Sequence, residues 1–299
     1  MITRRKALTI LAGAAILPGL SARASASTFQ WTGIALGAQA RIILDHPNAE
    51  ALVLSAVNEI RRLENIFSLY QADSQLSRLN REGSLRDPAF EMVELLSICS
   101  ALNARTHGAF DPTVQTLWSL YARMASQSGT PTRDQIAKAR SVTGWDRVRF
   151  SGEQVDFQHP EMALTLNGIA QGFIADKVAD LFRNNGVHNV MVNTGEISAL
   201  GTAPDGQDWQ VELANSHGKG ISLHDAAIAT SRPLGTVFDQ AGNIGHIIDP
   251  RTGYPGGKWS QVSVISEFAA QADGLSTAFC LMSNSEIAVA KGNSRVLLQ

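Results

Sequence analysis

The sequence of 299 residues predicts an α+β protein in which mixed or antiparallel sheets pack against helices. One observation is that some segments repeat apolar residues at helical spacing, whereas others alternate apolar and polar residues as strands do. A second is that hairpin signals interrupt the helices and strands, which a regular parallel sheet would not show. The composition is 44% hydrophobic and supplies a large core, and no long linker divides the chain. We therefore predict one domain over residues 27–299.

In residues 28 to 114, the spacing of apolar residues, the capping residues and the turn formers predict a strand pair, three helices and a turn. These are a strand pair at Thr28–Asp45 that turns at Gly37, helices at Glu50–Phe67 and Ala89–Thr106, a short helix between them capped by Asp73-Ser74 and ending at Leu79, and the turn THGAFDPTV at 106–114.

The rest of the domain predicts further helices and strands by the same criteria. They are a helix within Pro131–Gly144, a hairpin at 145–158 that turns at Ser151-Gly152, a strand at 163–167, a helix from Ile169 to Asn185 stopped by Gly186, strands at 189–195, 209–215 and 261–268, and a helix over Ala269–Met282.

The first 26 residues have the three parts of a secretory signal peptide, with cleavage predicted after Ala26. These parts are the basic Arg4-Arg5-Lys6, an apolar run from Ala7 to about Leu20, and the small residues Ala24-Ser25-Ala26. The paired arginines resemble the twin-arginine signal, which exports folded proteins, so we expect a periplasmic protein. A Sec signal or an uncleaved anchor is the alternative. The apolar run is too short to span a bilayer as a stable helix, and we do not expect an integral membrane protein.

The charge balance argues against a nucleic-acid-binding protein. Of the 25 basic residues, four lie in the predicted signal peptide (Arg4, Arg5, Lys6 and Arg23), so 21 remain against 27 acidic residues. Nucleic-acid binding depends on clustered lysine and arginine, which an acidic chain of this kind does not favour.

The two cysteines, Cys99 and Cys280, both lie in apolar segments with helical spacing. They are as consistent with two small core residues as with a pair, and we do not predict a disulfide between them. The histidines are scattered without the spacing of a zinc site.

The segment GHIIDPRTGYP at 245–255 predicts a sharp bend at the edge of the core. Ile247-Ile248 suits the end of a buried strand, and Asp249-Pro250 is a turn former. His246 would then lie between core and solvent, where it could act in chemistry. The alternative is a surface loop whose histidine is simply hydrogen-bonded.

Two helix segments could hold a phosphate and a metal ion. The glycine-containing start of the helix near Ile169 offers unpaired backbone N–H groups that suit a phosphate, although small residues there also serve close packing. Asp273 and Thr277 are four residues apart, so a helix places both on one face. With a backbone carbonyl they would form an oxygen site suited to Mg²⁺. The alternative is an aspartate near a helix start and a threonine bonded to its own backbone.

In their order and wording, seven segments resemble the ApbE family of bacterial flavin transferases. They are YQADSQLSRLN at 70–80, GAFDPTV at 108–114, TLNGIAQGFIADK at 165–177, VNTGEISALG at 192–201, ATS at 229–231, GHIIDPRTGYP at 245–255 and ADGLSTA at 272–278. The resemblance extends from about residue 30 to residue 282, nearly the whole chain beyond the signal peptide.

The resemblance implies an ApbE-like flavin transferase fold and a reaction. The family binds FAD, holds Mg²⁺ against its pyrophosphate, and transfers FMN to a threonine or serine hydroxyl of a partner flavoprotein, releasing AMP. The implied metal ligands are Asp273, Thr277 and the main-chain carbonyl around Gly168, and Asp273 counts as catalytic for that reason. His246 is implied either to help the hydroxyl lose its proton or to bind the flavin or diphosphate. The implied FAD-binding residues are Leu36, Tyr70, Ala109, Phe110, Asp111, Thr165, Gln171 and Ile247.

The sequence departs from the family pattern at a few positions of the implied site. Thr165, Asn167 and Gln171 stand where the family has Asp, Gly and Lys, and VNTGEI has one glycine where two are usual. Gln171 offers only neutral hydrogen bonds where a lysine offers a charge, and Arg232, in place of a usual glycine, could restore that charge. The loss of an acid at 165 together with a base at 171 keeps the local charge balanced, as a subfamily variation would.

The wording NGIAQG with a twin-arginine signal resembles the NosX branch, accessory proteins of periplasmic nitrous oxide reduction. That branch implies a membrane flavoprotein similar to NosR as the acceptor. Two other functions stay open at this point. One is an FAD pyrophosphatase, in which water replaces the hydroxyl and yields FMN and AMP. The other is a non-catalytic FAD-binding carrier or assembly factor, which the changes at Thr165 and Gln171 favour.

Overall fold

Every strand pair of the described chain is antiparallel, in a computed structural model that describes residues 14–15, 28–213 and 220–299. The predicted signal peptide, residues 1–26 with cleavage after Ala26, lies outside the described residues apart from 14–15. The end of the strand predicted at 209–215 also lies outside them.

The strands are β1 (Ala14–Ala15), β2 (Phe29–Ala35), β3 (Ala38–Leu44), β4 (Ser84–Arg86), β5 (Val148–Phe150), β6 (Gln154–Phe157), β7 (Val190–Asn193), β8 (Ile197–Leu200), β9 (Trp209–Leu213), β10 (Gly220–Leu223), β11 (Ala226–Ser231), β12 (Val262–Ser266) and β13 (Arg295–Leu298). The helices are α1 (Ala49–Phe67), α2 (Gln75–Glu82), α3 (Phe90–Arg105), α4 (Gln115–Ser126), α5 (Arg133–Ser141), α6 (Ala170–Asn184), α7 (Ala269–Phe279) and α8 (Asn284–Ala290).

The central sheet has seven strands in the order β13-β12-β11-β8-β7-β3-β2. Two three-stranded sheets accompany it, in the orders β1-β9-β10 and β4-β6-β5. Helices and antiparallel sheets therefore occur together as the α+β prediction requires, and the fold class is confirmed.

Both faces of the central sheet are buried, which explains the apolar runs in its strands. Ile42 on β3 belongs to the main core, where α1, α3, α6 and α7 pack on one face. Its neighbour Ile43 points to the opposite face and packs in a second core with Trp209 and Val211 of β9. Successive side chains of a strand point to opposite faces, so a strand covered on both sides needs apolar residues at consecutive positions.

Local sequence signals set the ends of several elements, although α2 continues to Glu82, beyond the end predicted at Leu79. The β2–β3 turn falls at Leu36-Gly37, which have φ values of 46° and 81°, as a tight hairpin turn requires. Ser74 caps α2 by accepting the N–H of Ser77 at 3.0 Å, and α2 ends at Gly83 in the left-handed conformation. The predicted hairpin at 145–158 is confirmed as β5 and β6.

Two of the predicted strands are wrong. Residues 163–167 are irregular, because the side chain of Asn80 bonds both the N–H and the carbonyl of Leu164, at 2.7 and 2.8 Å, and so replaces a neighbouring strand. Ile247 and Ile248 are buried as predicted, but only an isolated bridge from Ile248 to Pro255 forms there. The sharp bend itself is present, since Gly253 donates to the carbonyl of Asp249 at 2.7 Å.

Cys99 and Cys280 are buried free thiols, in agreement with two core residues. In the part of the chain that the structure describes, no helix has both the length and the apolar character needed to cross a membrane.

Candidate active site

A cavity of about 270 Å³ opens between α6, α7, the end of β11 and the loop that follows it. All of the site residues predicted from the sequence except Leu36 line this cavity. They are Tyr70, Ala109, Phe110, Asp111, Thr165, Gly168, Gln171, His246, Ile247, Asp273 and Thr277. The sequence segments that carry these residues are far apart in the chain, so it is the fold that brings them together.

Leu36 lies away from the cavity lining, in the turn between β2 and β3. Its backbone N–H donates to Oε1 of Glu64 at 2.5 Å, and this bond fixes the turn against α1. The structure therefore gives Leu36 a place in the turn and does not join it to the other predicted residues.

Asp273 and Thr277 lie on the same face of α7, as their spacing predicts, and both face the start of α6. Oδ2 of Asp273 accepts the N–H of Gly172 at 3.2 Å. A Cβ atom on Gly168 would lie 3.0 Å from Oγ1 of Thr277, so the backbone of Gly168 passes directly beside that hydroxyl. Ser231, at the end of β11, places its hydroxyl 3.3 Å from Oγ1 of Thr277. The carboxyl group of Asp273, the hydroxyls of Thr277 and Ser231 and the backbone of Gly168 thus belong to the lining of one cavity.

Glu196 is a cavity residue that the sequence reasoning missed. It is 7% exposed, and its Oε2 accepts the N–H of Thr230 at 3.1 Å. Burial raises the pKa of Glu196 well above its ordinary value, and the nearby Asp273 raises it further. The sequence signal that could have indicated Glu196 is a charged residue at the start of a largely apolar segment, in GEISAL.

The pKa of Asp273 is also raised, chiefly by burial and also by the negative charge of Asp176, although the N–H of Gly172 acts in the opposite direction. Two buried carboxylates therefore face one cavity, and each disfavours the ionised form of the other. A cation or a hydrogen-bonded proton is needed to keep such a pair stable.

His246 is held by the loop that follows β11. Its Nδ1 lies 3.1 Å from the carbonyl oxygen of Thr236, and its backbone N–H donates to the same carbonyl at 3.0 Å. A carbonyl can only accept, so Nδ1 carries the proton and Nε2 of the neutral ring is an acceptor. Burial lowers the pKa of His246 below its ordinary value, against the opposing effect of the bonds to backbone carbonyls.

Asp111 is a predicted FAD-binding residue whose carboxylate already bonds to the protein. Oδ1 accepts the N–H and the hydroxyl of Thr113, at 2.9 and 2.6 Å, and Oδ2 accepts the N–H of Trp145 at 3.1 Å. These bonds hold the turn that places Ala109 and Phe110 in the cavity wall. Tyr70 is 55% exposed and lies at the rim.

Gln171 lies deep in the cavity wall with its side-chain amide buried. Only 4% of the residue is exposed, and Nε2 has no hydrogen-bond partner among the described residues. Gly195 lies so close that a Cβ there would be 2.5 Å from this nitrogen. An unpaired buried donor costs free energy in the isolated protein, so Gln171 is prepared to donate to a ligand in the cavity.

Comparisons with known proteins find similarity to one family over most of the chain. The sequence pattern of the ApbE family matches residues 36–296. The FAD:protein FMN transferase of Vibrio cholerae is 34% identical over 250 residues, which cover 78% of this chain and 75% of that protein. The FAD:protein FMN transferase of Haemophilus influenzae is 29% identical over 248 residues, covering 76% of this chain and 71% of that protein.

Solved structures show the same similarity at the level of the fold. The flavin transferase ApbE from Vibrio cholerae has a TM-score of 0.77 at 27% identity, covering 91% of this chain and 94% of that chain. The Pseudomonas stutzeri flavinyl transferase ApbE, in its apo form, has a TM-score of 0.79 at 27% identity, covering 93% of this chain and 94% of that chain.

Proposed function

Because the chain belongs to the ApbE family, we propose that it transfers the FMN of FAD to a threonine or serine hydroxyl of an acceptor flavoprotein, releasing AMP. The observation that carries the proposal is the convergence of Asp273, Thr277, Gly168 and His246 on one cavity. The three proposed ligands and the base come from three parts of the chain, namely α7, the segment before α6 and the loop between β11 and β12.

The residues at the α6–α7 end of the cavity fit Mg²⁺. Their donors are a buried carboxylate, a hydroxyl and a backbone carbonyl, all oxygen atoms of the kind that this ion prefers. The backbone of Gly168 passes close beside Thr277, since a Cβ there would lie 3.0 Å from Oγ1, and the carbonyl and the hydroxyl would then serve one ion. Mg²⁺ bound by Asp273, Thr277 and Gly168 would neutralise negative charge on the diphosphate.

His246 is the proposed base. Nε2 accepts the proton of the acceptor hydroxyl while the hydroxyl oxygen attacks the phosphorus atom of the FMN half. The bond between that phosphorus and the bridging oxygen breaks, and AMP leaves with the electron pair. The carbonyl of Thr236 keeps the proton on Nδ1, which leaves Nε2 of the neutral ring as the acceptor.

The predicted signal peptide adds a location to the proposal. We propose export by the twin-arginine route to the periplasm and an acceptor that is a periplasmic or membrane flavoprotein, similar to NosR. The support for this part is the N-terminal sequence and the NGIAQG wording.

The test is to incubate residues 27–299 with FAD, Mg²⁺ and a fragment of such a flavoprotein that contains a candidate threonine, and then to measure intact masses and AMP. We expect the fragment to gain the mass of one FMN group, and the gain to disappear when that threonine is replaced by valine. AMP and free FMN without labelling would identify a pyrophosphatase instead. FAD that stays bound and intact with every acceptor would identify a carrier.

A variant tests the metal assignment in the same assay. Asp273→Ala should lose Mg²⁺-dependent turnover while it keeps its far-UV circular dichroism, because the buried carboxylate is the charged ligand. Asp180→Ala, an exposed aspartate of α6 paired with Arg183, is the matched control and should keep full activity. Full activity of Asp273→Ala would contradict the assignment.

A further inference from the structure

The segment that begins at His246 folds back on itself as a short hairpin of residues 246–256, here called the His246 hairpin. The N–H of Gly256 donates to the carbonyl of Ile247 at 3.0 Å and so closes it. His246 itself bonds to the carbonyl of Thr236, which belongs to the same connection between β11 and β12. These bonds do not join the hairpin to α7, so the position of His246 relative to that helix depends on other contacts.

Three consecutive carbonyl groups at the end of α7 accept hydrogen bonds from the hairpin and the residues just after it. The bonds run from Nη2 of Arg251 to Leu281 at 3.2 Å, from the N–H of Lys258 to Cys280 at 2.9 Å, and from Nε1 of Trp259 to Met282 at 3.0 Å. Carbonyls at the end of a helix have no partner within it, so donors from another segment satisfy them. The helix that carries Asp273 and Thr277 is therefore joined at its end to the segment that carries His246.

Arg251 is the donor among these three that belongs to the hairpin itself, and its guanidinium is held in one orientation. Nε and Nη2 donate to the two carboxylate oxygens of Asp249 at 2.9 and 2.8 Å, a paired geometry that fixes the plane of the group. Because Nη2 also donates to Leu281, one nitrogen connects the turn of the hairpin to the end of α7. A cation at the C-terminal end of a helix is further favoured by the helix dipole.

The two ends of this connection both reach the cavity. Ile247, in the hairpin, and Leu281, at the end of α7, line it. Gly256 lies so close to Leu281 that a Cβ there would be 3.1 Å from Cδ2, so the hairpin is seated directly against this residue. Leu281 is four positions after Thr277 in the sequence. A shift of the hairpin relative to Leu281 would therefore change the separation between His246 and the proposed metal ligands.

We infer that Arg251 is a positioning residue of the reaction, which holds the His246 hairpin against the end of α7 and so sets the proposed base relative to Asp273 and Thr277. The inference rests on the proposed function, which gives these residues their roles. Transfer requires the attacking hydroxyl and the phosphate to be aligned, and a small misplacement lowers the rate of the chemical step. Arg251 does not itself line the cavity, so its replacement removes no contact with FAD.

The experiment separates the rate of transfer from the binding of FAD. For residues 27–299, Arg251→Gln and Arg251→Lys, kcat and KM are measured from acceptor labelling and AMP release, and FAD affinity is measured separately by flavin fluorescence. We expect Arg251→Gln to lower kcat roughly tenfold or more, with FAD affinity unchanged. Arg251→Lys keeps the charge but loses the paired donors, and its kcat should lie between the other two.

Two matched variants show whether a loss of stability alone would have the same effect. Trp259→Phe removes the bond to Met282 but keeps an aromatic ring, and it lies beyond the hairpin. It should lower the thermal unfolding temperature and leave kcat unchanged. Arg62→Gln removes a paired contact of the same kind, in which Nε and Nη2 donate to Glu59 of α1 at 2.8 Å each. It should change neither kcat nor FAD affinity.

The outcomes separate the inference from the proposed function. If the unchanged chain labels an acceptor and folded Arg251→Gln has the same kcat, the inference is overturned and the proposed function stands. An equal loss of kcat in Trp259→Phe, or a loss of FAD affinity that accounts for the whole effect of Arg251→Gln, would also overturn it. If the unchanged chain labels no acceptor, both are overturned. Should Arg251→Gln fail to fold, the kcat of Arg251→Lys decides the question, and a value equal to that of the unchanged chain would overturn the inference.

Discussion

At the scale of single residues, the site depends on groups whose hydrogen bonds fix their chemical state. The carbonyl of Thr236 decides which nitrogen of His246 carries the proton. Asp111 has a structural part instead, because its carboxylate bonds Thr113 and Trp145 and so shapes the cavity wall. The type of residue alone does not distinguish these two uses, since both side chains are titratable and both line the cavity.

The lowered pKa of His246 predicts a pH dependence of stability. The folded protein binds this proton less readily than the unfolded chain, whose histidine keeps its ordinary value near 6.5. As the pH falls through that value, the unfolded state gains a proton that the folded state resists, and His246 lowers the free energy of unfolding. Above it, both states are neutral and the effect is absent.

The measurement is urea unfolding of the unchanged chain and of His246→Gln between about pH 7.5 and about pH 5. The difference in unfolding free energy between the two should shift in favour of His246→Gln as the pH falls. The comparison of two chains matters because buried carboxyls such as Asp176 titrate in the same range with the opposite sign. His188→Gln, at an exposed position, is the control variant. A constant difference across this range would contradict the prediction.

At the scale of elements, the site is built by the close approach of α6 and α7. Asp176 on α6 accepts the N–H groups of Ala269 and Ala270 at 2.8 and 2.9 Å and so caps α7 from another helix. Burial raises the pKa of Asp176 to about 7, against the effect of these two bonds. Gly172 lies at the contact, because a larger residue there would meet the backbone of α7. The approach keeps Gly168 beside Thr277 and thereby holds the proposed metal ligands together.

The contact predicts that Gly172→Ala destabilises the protein, although alanine is the better helix former. Its Cβ would lie 2.3 Å from the carbonyl oxygen of Ala269, a backbone atom that cannot move aside without shifting α7. Overpacking of this kind costs on the order of 1–3 kcal/mol. Thermal and urea unfolding measure the change.

Gly274→Ala is the matched comparison, since Gly274 is also a buried glycine within a helix. Its Cβ would lie 2.4 Å from Cδ1 of Leu102, the end of a side chain that can adopt another rotamer. We expect Gly172→Ala to be clearly the less stable of the two, and equal stabilities would contradict the close-approach argument.

At the scale of the whole molecule, the site lies at the margin of the main core, and core residues such as Phe110 and Ile247 form part of its wall. The main core lies under one face, the β9–β10 sheet covers the other, and the cavity opens beyond the end of β11. The long connection from Ser231 to Val262 leaves the sheet there, carries His246, and returns to the adjacent strand. Loops that carry function on a rigid sheet commonly have this arrangement.

If the signal peptide is removed on export, the protein recovered from the periplasm should begin at Ser27. It should unfold at the same temperature as the full chain. Of the predicted signal peptide, the structure describes only Ala14–Ala15, whose pairing with β9 is a two-residue contact. Its loss should lower the free energy of unfolding by less than about 1 kcal/mol. Intact mass and thermal unfolding of the two forms are the measurements.

A chain that begins at residue 38 is the control, because it also loses β2, whose Phe29 and Trp31 pack against the main core. This shorter chain should unfold at a much lower temperature or fail to fold. Recovery of the protein with residues 1–26 attached would contradict the predicted cleavage after Ala26.

The sequence by itself determined those features that depend on neighbouring residues. The face shared by Asp273 and Thr277 follows from the period of the helix, the cap at Ser74 from a hydroxyl before the helix, and the hairpin turn from Leu36-Gly37. The order of the motifs also predicted the family, because short segments of defined sequence can be identified without knowing the structure.

Only the tertiary structure decided what depends on contacts between distant segments. It placed Glu196 beside Asp273, removed Leu36 from the cavity lining, and made residues 163–167 irregular through Asn80. It also set the hydroxyl of Ser231, at the end of β11, beside that of Thr277 on α7. The physical reason is that spacing along the chain fixes geometry only within one element. The distance between two elements depends on which side chains let their backbones approach, as Gly172 does between α6 and α7.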